Sequence, residues 1–375
     1  MDNRTSVRIN VTRSSMPGFE EYCDEIRDLW DSRWLTNMGE KHRRLESGLQ
    51  TYLDAAHLQL FTNGHLALEG ILRAMELKGE VITTPFTFPS TVNAIVRCGL
   101  RPVFCDVKED DCTIDVSKIE ELITPDTCAI LPVHVYGNIC DHEALEALAA
   151  GHGLKLIYDA AHAFGVRCNG TPVAQMGDAS MFSFHATKVF HTIEGGAVTF
   201  TDPALQGKLM QEKNFGYAGE DLQVTAGGNA KMNEFQAAMG LCNLRHVAEN
   251  HEARKRVVEK YIAELSGVPG IRCWNPQPGY EPNYAYFPIF VDAEKFGANR
   301  DQLRDALAQE NIYARRYFYP AVNEAVCYAD VTGVPTPVAH RLSEQVLTLP
   351  LYTDLTDADV VRICRTLIAA GRYSR

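Results

Sequence analysis

The chain has 375 residues, 46% hydrophobic and 22% charged, an ordinary globular composition at a length that suggests two domains of unequal size. A net charge of −12 argues against broad affinity for nucleic acid or an anionic membrane, although a locally basic pocket can still take a small anion. Eleven cysteines without a C-x-x-C pair read as buried free thiols, and with no signal-peptide core or uninterrupted apolar span the expected setting is the reducing cytoplasm.

Short apolar runs alternate with helical patterns through the first two thirds of the chain. The candidate strands are LQLFT (58–62), EVITT (80–84), RPVFCDV (101–107), CAILPVHVY (128–136), LKLIYDA (154–160), ASMFSF (179–184) and GAVTF (196–200). Between the first two, Leu68, Ile71, Leu72 and Met75 keep the i, i+3, i+4, i+7 spacing, and Gly79 is placed to end that helix. This alternation predicts an α/β domain with a mainly parallel sheet and crossover helices. From 231 to 265 the pattern becomes one long helical region with no proline. It bridges to a smaller α+β domain, with a strand in YAYFPIFVD (284–292) and helices near 300–310 and 356–370. The boundary falls near 245, giving a large domain over 1–245 and a small one over 246–375.

Ligands of open α/β sheets gather at the carboxyl ends of the strands, so the residues that follow each strand are the candidates. After the first strand, Asn63 can cap a helix whose opening Gly64 and His65 N–H groups suit a phosphate; an ordinary capped helix start reads the same way. After the second, Phe86 and Phe88 serve either as core packing or as a platform for a planar ring. Asp159 ends an apolar strand and needs a partner for its charge. A helix N-terminus or a protonated ring nitrogen would supply one. His162 follows closely, as a second contact or as a satisfied core histidine. Ser183, His185 and Lys188 then precede Glu194-Gly195-Gly196, which turns the chain into GAVTF. A lysine for a Schiff base, an anion for a pyridinium and donors for a phosphate are the three needs of pyridoxal phosphate. The twelve histidines form no metal-binding spacing, so no metal is expected.

TNGHLALE, PFTFPSTVNAI, LPVHVYG, YDAAHAFG, SFHATK…EGG and GGNAKMNEFQAAMG occur in this order. Together they resemble the pyridoxal-phosphate aminotransferases of nucleotide-linked keto sugars, the DegT/DnrJ/EryC1/StrS group. The likeness runs from WLTNMG at 34–39 to RRYFYP at 315–320. It implies a fold-type I aminotransferase, ping-pong transamination with glutamate as donor, and a homodimer with shared active sites. By motif, Lys188 would form the Schiff base and Asp159 would pair with the pyridine nitrogen. His162 would sit near the phenolic oxygen, and Ser183 with the Gly64 and His65 backbone would hold the phosphate. Asn229 would reach that phosphate from the neighbouring subunit, and Phe88 would stack on the ring. Asn37, Arg316 and Tyr319 correspond to segments that line the nucleotide-sugar site.

Three departures from the group's common pattern matter, the first for a phosphate contact that a threonine hydroxyl would make and the other two for specificity. Gly64-His65-Leu66 stands where many members read G-T-A, Lys231 where arginine is frequent, and TIEGG where TGEGG is usual. The last two resemble the branch that aminates C4 of dTDP-4-keto-6-deoxyglucose; UDP- or GDP-linked sugars and C3 amination are the alternatives. Lysine at 188 disfavours a sugar dehydratase, whose relatives carry histidine there. A non-catalytic regulator would need a DNA-binding module for which the chain has no spare segment. A desulfurase would need a reactive cysteine, for which Cys327 is the candidate.

Overall fold

The computed structural model describes residues 7–329, 331 and 334–372. Seven strands form the central sheet: β1 (His57–Phe61), β2 (Glu80–Thr83), β3 (Arg101–Phe104), β4 (Thr127–Leu131), β5 (Lys155–Asp159), β6 (Ala179–Ser183) and β7 (Gly196–Phe200). Their order across the sheet is β1-β7-β6-β5-β4-β2-β3. β3, β2, β4, β5 and β6 are mutually parallel, whereas β7 runs antiparallel to both of its neighbours. All seven expected strands are present: Gly196–Phe200 keeps its expected bounds, the other six end one to five residues early, and those at His57 and Thr127 begin one residue sooner. Near-continuous burial of Val81, Ile82, Ala129, Ile130 and Ile157 explains why these strands read as unbroken apolar runs.

Crossover helices cover the sheet. Those that matter for the site are α1 (Phe19–Ile26), α2 (Glu40–Tyr52), α3 (Gly64–Ala74), α4 (Pro89–Arg97), α5 (His142–His152) and α6 (Leu205–Lys213). α3 ends at Ala74, earlier than Gly79, because Glu76 already takes a left-handed φ of 54°. Gly79 instead makes the turn into β2, where a side chain would collide with the Asp126 carbonyl.

The expected single helix over 231–265 is two helices, α7 (Glu234–Arg245) and α8 (Val247–Leu265), broken at His246 where φ is −107° and ψ is 4°. α7 starts with a capping box: Asn233 accepts from Gln236 N, and the Gln236 side chain accepts from Asn233 N. Beyond the break, β8 (Ile271–Cys273), β9 (Phe287–Val291) and β10 (Val346–Leu349) make an antiparallel sheet. It is packed by α8, α9 (Arg300–Gln309) and α10 (Asp357–Arg372) around Tyr261, Phe287, Leu303, Leu347 and Ile363. That core also includes Phe86, Tyr136 and Phe318, so it reaches the ends of the central strands.

The eleven cysteines are free, but the expectation that they are buried holds for only some. Cys105, Cys112, Cys140, Cys242 and Cys364 are buried, five are half-buried, and Cys327 is exposed. No helix among the described residues is long and apolar enough to cross a membrane.

Candidate active site

The register of β7 sets the geometry. Gly196 pairs with Ser183 on one side and with Phe61 on the other, so the carboxyl ends of β1 and β6 meet at the start of β7. A side chain at 196 would lie 2.7 Å from the Asn63 carbonyl carbon and the Gly64 nitrogen. Glycine is required there for the strand to pass against the opening peptide of α3. Asn63 caps α3 by accepting from Leu66 N at 2.8 Å, while the first-turn N–H groups of Gly64 and His65 have no intrahelical acceptor. A side chain at Gly64 would come within 3.0 Å of Ser183 Cβ.

These strand ends border a cavity of about 490 Å³. Gly64, His65, Phe88, Asp159, His162, Ser183 and Lys188 all line it, so seven of the expected residues meet in one place. Phe88 is half exposed and packs 6.3 Å from Phe318, whereas Phe86 is fully buried core. His65 Nδ1 lies 2.8 Å from Ser90 Oγ and its Nε2 3.1 Å from Glu69 Oε1.

Asp159 is 4% exposed, and its carboxylate accepts from Thr91 Oγ1 at 2.7 Å and from Ala161 N at 3.0 Å. Burial pushes its pKa up, and Thr91, the Ala161 N–H and the Lys188 charge only partly offset that. Each hydrogen bond to an ionised carboxylate contributes about 1.5–3 kcal/mol, while burying the charge costs several kcal/mol. The charge of an ionised Asp159 is therefore only partly compensated by its surroundings. His162 is the opposite case. Burial, and secondarily Lys188, push its pKa well below the ordinary value, so the ring is neutral; its Nδ1 accepts from Tyr136 N at 3.0 Å.

Lys188 lies in the turn after β6, and its Nζ is 3.2 Å from Tyr286 Oη. Tyr286 comes from the residue before β9, and Thr91 from α4. Neither was legible as a site residue, because their partners lie 98 and 68 positions away along the chain.

A second cavity of about 1,090 Å³ adjoins the first through Thr87, Phe88, Thr187, Tyr317 and Phe318. It holds Arg316 and Tyr319, together with Arg8, Arg304 and Arg315. Asn37 and Asn229 line neither cavity and are exposed in the single chain. Among the described residues there is no cluster of His, Cys, Asp or Glu able to hold a metal.

The residues present fit pyridoxal phosphate: an under-compensated buried carboxylate, an amine in the same cavity, and a helix start kept bare by Gly64 and Gly196. Residues 19–368 match the DegT/DnrJ/EryC1/StrS aminotransferase family. The chain is 40% identical over 360 residues to the dTDP-4-amino-4,6-dideoxy-D-glucose transaminase of Shigella dysenteriae, a match that spans 96% of this chain and 98% of the relative. GDP-perosamine synthase of Vibrio cholerae is 32% identical over 366 residues, with 96% and 98% covered. DesI, solved in the presence of its TDP-sugar product, superposes with a TM-score of 0.94 at 33% identity, covering 98% of this chain and 94% of that one. The PLP form of Spr1654 from Streptococcus pneumoniae gives 0.90 at 25% identity, covering 98% and 100%.

Fold and likenesses together define a pyridoxal-phosphate-dependent aminotransferase of fold type I. The chain belongs to the DegT/DnrJ/EryC1/StrS aminotransferase family.

Proposed function

We propose that this chain transfers an amino group from glutamate to C4 of a nucleotide-linked 4-keto-6-deoxy sugar, with dTDP-4-keto-6-deoxy-D-glucose as acceptor and dTDP-4-amino-4,6-dideoxy-D-glucose as product. The Shigella dysenteriae relative is named for that amino sugar and shares more identity with this chain than the GDP-linked relative does. The observation that carries the chemistry is the placement of Lys188 and the under-compensated Asp159 in one cavity, beside the start of α3.

Bound pyridoxal phosphate supplies an electron sink for the pair of electrons left on the substrate carbon. The protein's residues do the rest. Asp159 would pair with the protonated ring nitrogen, a cation that would offset the carboxylate's own burial. Lys188 would hold the cofactor covalently through its amine and, once free, would be the base that moves the proton at the substrate carbon. The N–H groups of Gly64 and His65, with the Ser183 hydroxyl, bind the phosphate at the positive end of α3. Neutral His162 would sit near the phenolic oxygen, and Phe88 would stack on the ring. Arg316 and Tyr319 in the adjoining cavity take the nucleotide sugar.

The active unit in this reading is a homodimer in the cytoplasm, with the chain divided at 245/246. Trp34, Phe215, Leu222 and Val224 are large apolar residues exposed in the single chain. Asn229 lies beside the segment of Phe215, Leu222 and Val224, which supports its reaching the phosphate of the other chain's site, and Asn37 lies beside Trp34 in the segment assigned to the nucleotide sugar. The test is to supply purified enzyme and glutamate with dTDP-, UDP- and GDP-linked 4-keto sugars and to identify the product. C4 amination of the dTDP sugar is expected. Preference for a GDP or UDP sugar would overturn the acceptor assignment, and no amination of any would overturn the reaction.

A further inference from the structure

Lys188 must be free in two moments of the proposed cycle, before it is captured by the cofactor and after substrate displaces it. A freed lysine on a four-carbon stem carries about 2 kcal/mol of rotamer entropy and would spend most of its time away from the reacting carbon. Among the described residues, the hydrogen-bond partner of the Lys188 amine is the Tyr286 hydroxyl, at 3.2 Å. A hydrogen bond between neutral groups contributes about 0.5–1.5 kcal/mol net, enough to bias the stem towards one orientation.

Tyr286 is built to keep that position. It is 7% exposed, and its ring is wedged by His162 at 4.7 Å, Tyr317 at 6.0 Å and Tyr136 at 6.2 Å, the last two edge-on. Arg254 of α8, 2% exposed, lies within electrostatic reach of the same hydroxyl. The contact also joins the two halves of the chain, since Tyr286 leads into β9 of the small sheet and Lys188 follows β6 of the large one.

We propose that Tyr286 is the residue that holds the free Lys188 amine in its reacting position. The neutral Lys188 amine donates one N–H to Tyr286 Oη and keeps its lone pair directed into the cavity, to bond the cofactor or to take a proton; Tyr286 itself neither gains nor loses a proton. This inference rests on the assignment of Lys188 as the cofactor-bonding amine.

The test reads cofactor capture, without turnover. Apo-enzyme is mixed with pyridoxal phosphate in a stopped-flow instrument, and the visible absorbance band is followed in the wild type and in Tyr286→Phe. In the variant, capture is expected to slow about tenfold at unchanged final amplitude, and kcat to fall about tenfold or more with the nucleotide-sugar KM within about twofold. Capture and kcat both within about twofold of wild type would overturn the proposal. So would an equal loss in KM and kcat with capture unchanged, the mark of a merely structural residue. Should the phenylalanine variant prove insoluble, Tyr286→His against Tyr286→Leu compares a ring that can hydrogen-bond with a side chain that cannot; equal capture rates overturn the proposal there. A wild type that forms no band at all would instead sink the assignment of Lys188.

Discussion

The sheet-end cavity and the surface segments around residues 34–39 and 215–229 differ in how complete they are within one chain. At the sheet end, Gly64, Asp159, His162, Ser183 and Lys188 converge from separate strands, and each polar group there is hydrogen-bonded or faces the cavity. In the surface segments, Asn37 and Asn229 line neither cavity, and Trp34, Phe215, Leu222 and Val224 are exposed. The register of a buried sheet is fixed by its own apolar faces, so it can place chemistry without help. An exposed loop with large apolar side chains acquires its function only when something covers it. The difference predicts that damage at the sheet end is chemical, and damage in the surface segments concerns binding.

Four changes test that division, from the largest expected effect to the smallest. Asp159→Asn should retain bound cofactor yet lower kcat roughly 10²–10³-fold, the loss typical of one electrostatic partner to a developing charge. Near-wild-type turnover would remove Asp159 from the chemistry. Asn229→Ala should weaken pyridoxal phosphate binding by about tenfold, as one hydrogen bond to an anion is lost, while sedimentation still reports a dimer. An unchanged affinity would detach this segment from the site.

The third concerns pH. Burial lowers the pKa of His42 to about 3, of His134 to about 3 and of His251 to about 4. Bases with a folded pKa below the unfolded value of 6.5 hold the fold fully above that pH and lose their contribution as pH falls towards 4 and 3. The melting temperature should therefore drop between pH 7 and pH 5. His42 has both ring nitrogens unpaired among the described residues, so His42→Leu should flatten the drop. A melting temperature flat across this range would contradict the neutral state of these rings.

The smallest effect is at Ile193, a β-branched residue with a φ of 69°. Left-handed backbone costs a side chain about 1–2 kcal/mol, and a glycine there gives back about 0.4–1 kcal/mol through the freer unfolded chain. Ile193→Gly should thus stabilise the fold by about 1 kcal/mol or less, read from urea unfolding; a destabilised variant would mean that the exposed isoleucine is covered in the working assembly.

The strands were legible because a sheet buried on both faces leaves unbroken apolar runs, and Asp159 and Lys188 because a charge at the end of such a run has to be explained. What stayed hidden is what periodicity does not record. The break at His246 carries neither proline nor glycine, and α3 stops at Ala74 with no breaker in its sequence. Thr91 resembled an ordinary helix residue until Asp159 was brought against it, and Tyr286 a core aromatic of another domain until Lys188 met its hydroxyl. Contacts made by tertiary packing leave no local trace.

The central claim is a covalent bond between Lys188 and the cofactor. Borohydride reduction of the holoenzyme followed by peptide mapping tests it directly. A single peptide, containing Lys188, should carry the mass of the reduced cofactor, and Lys188→Ala should carry none. Label on another lysine, or cofactor released intact by denaturation after reduction, would contradict the account.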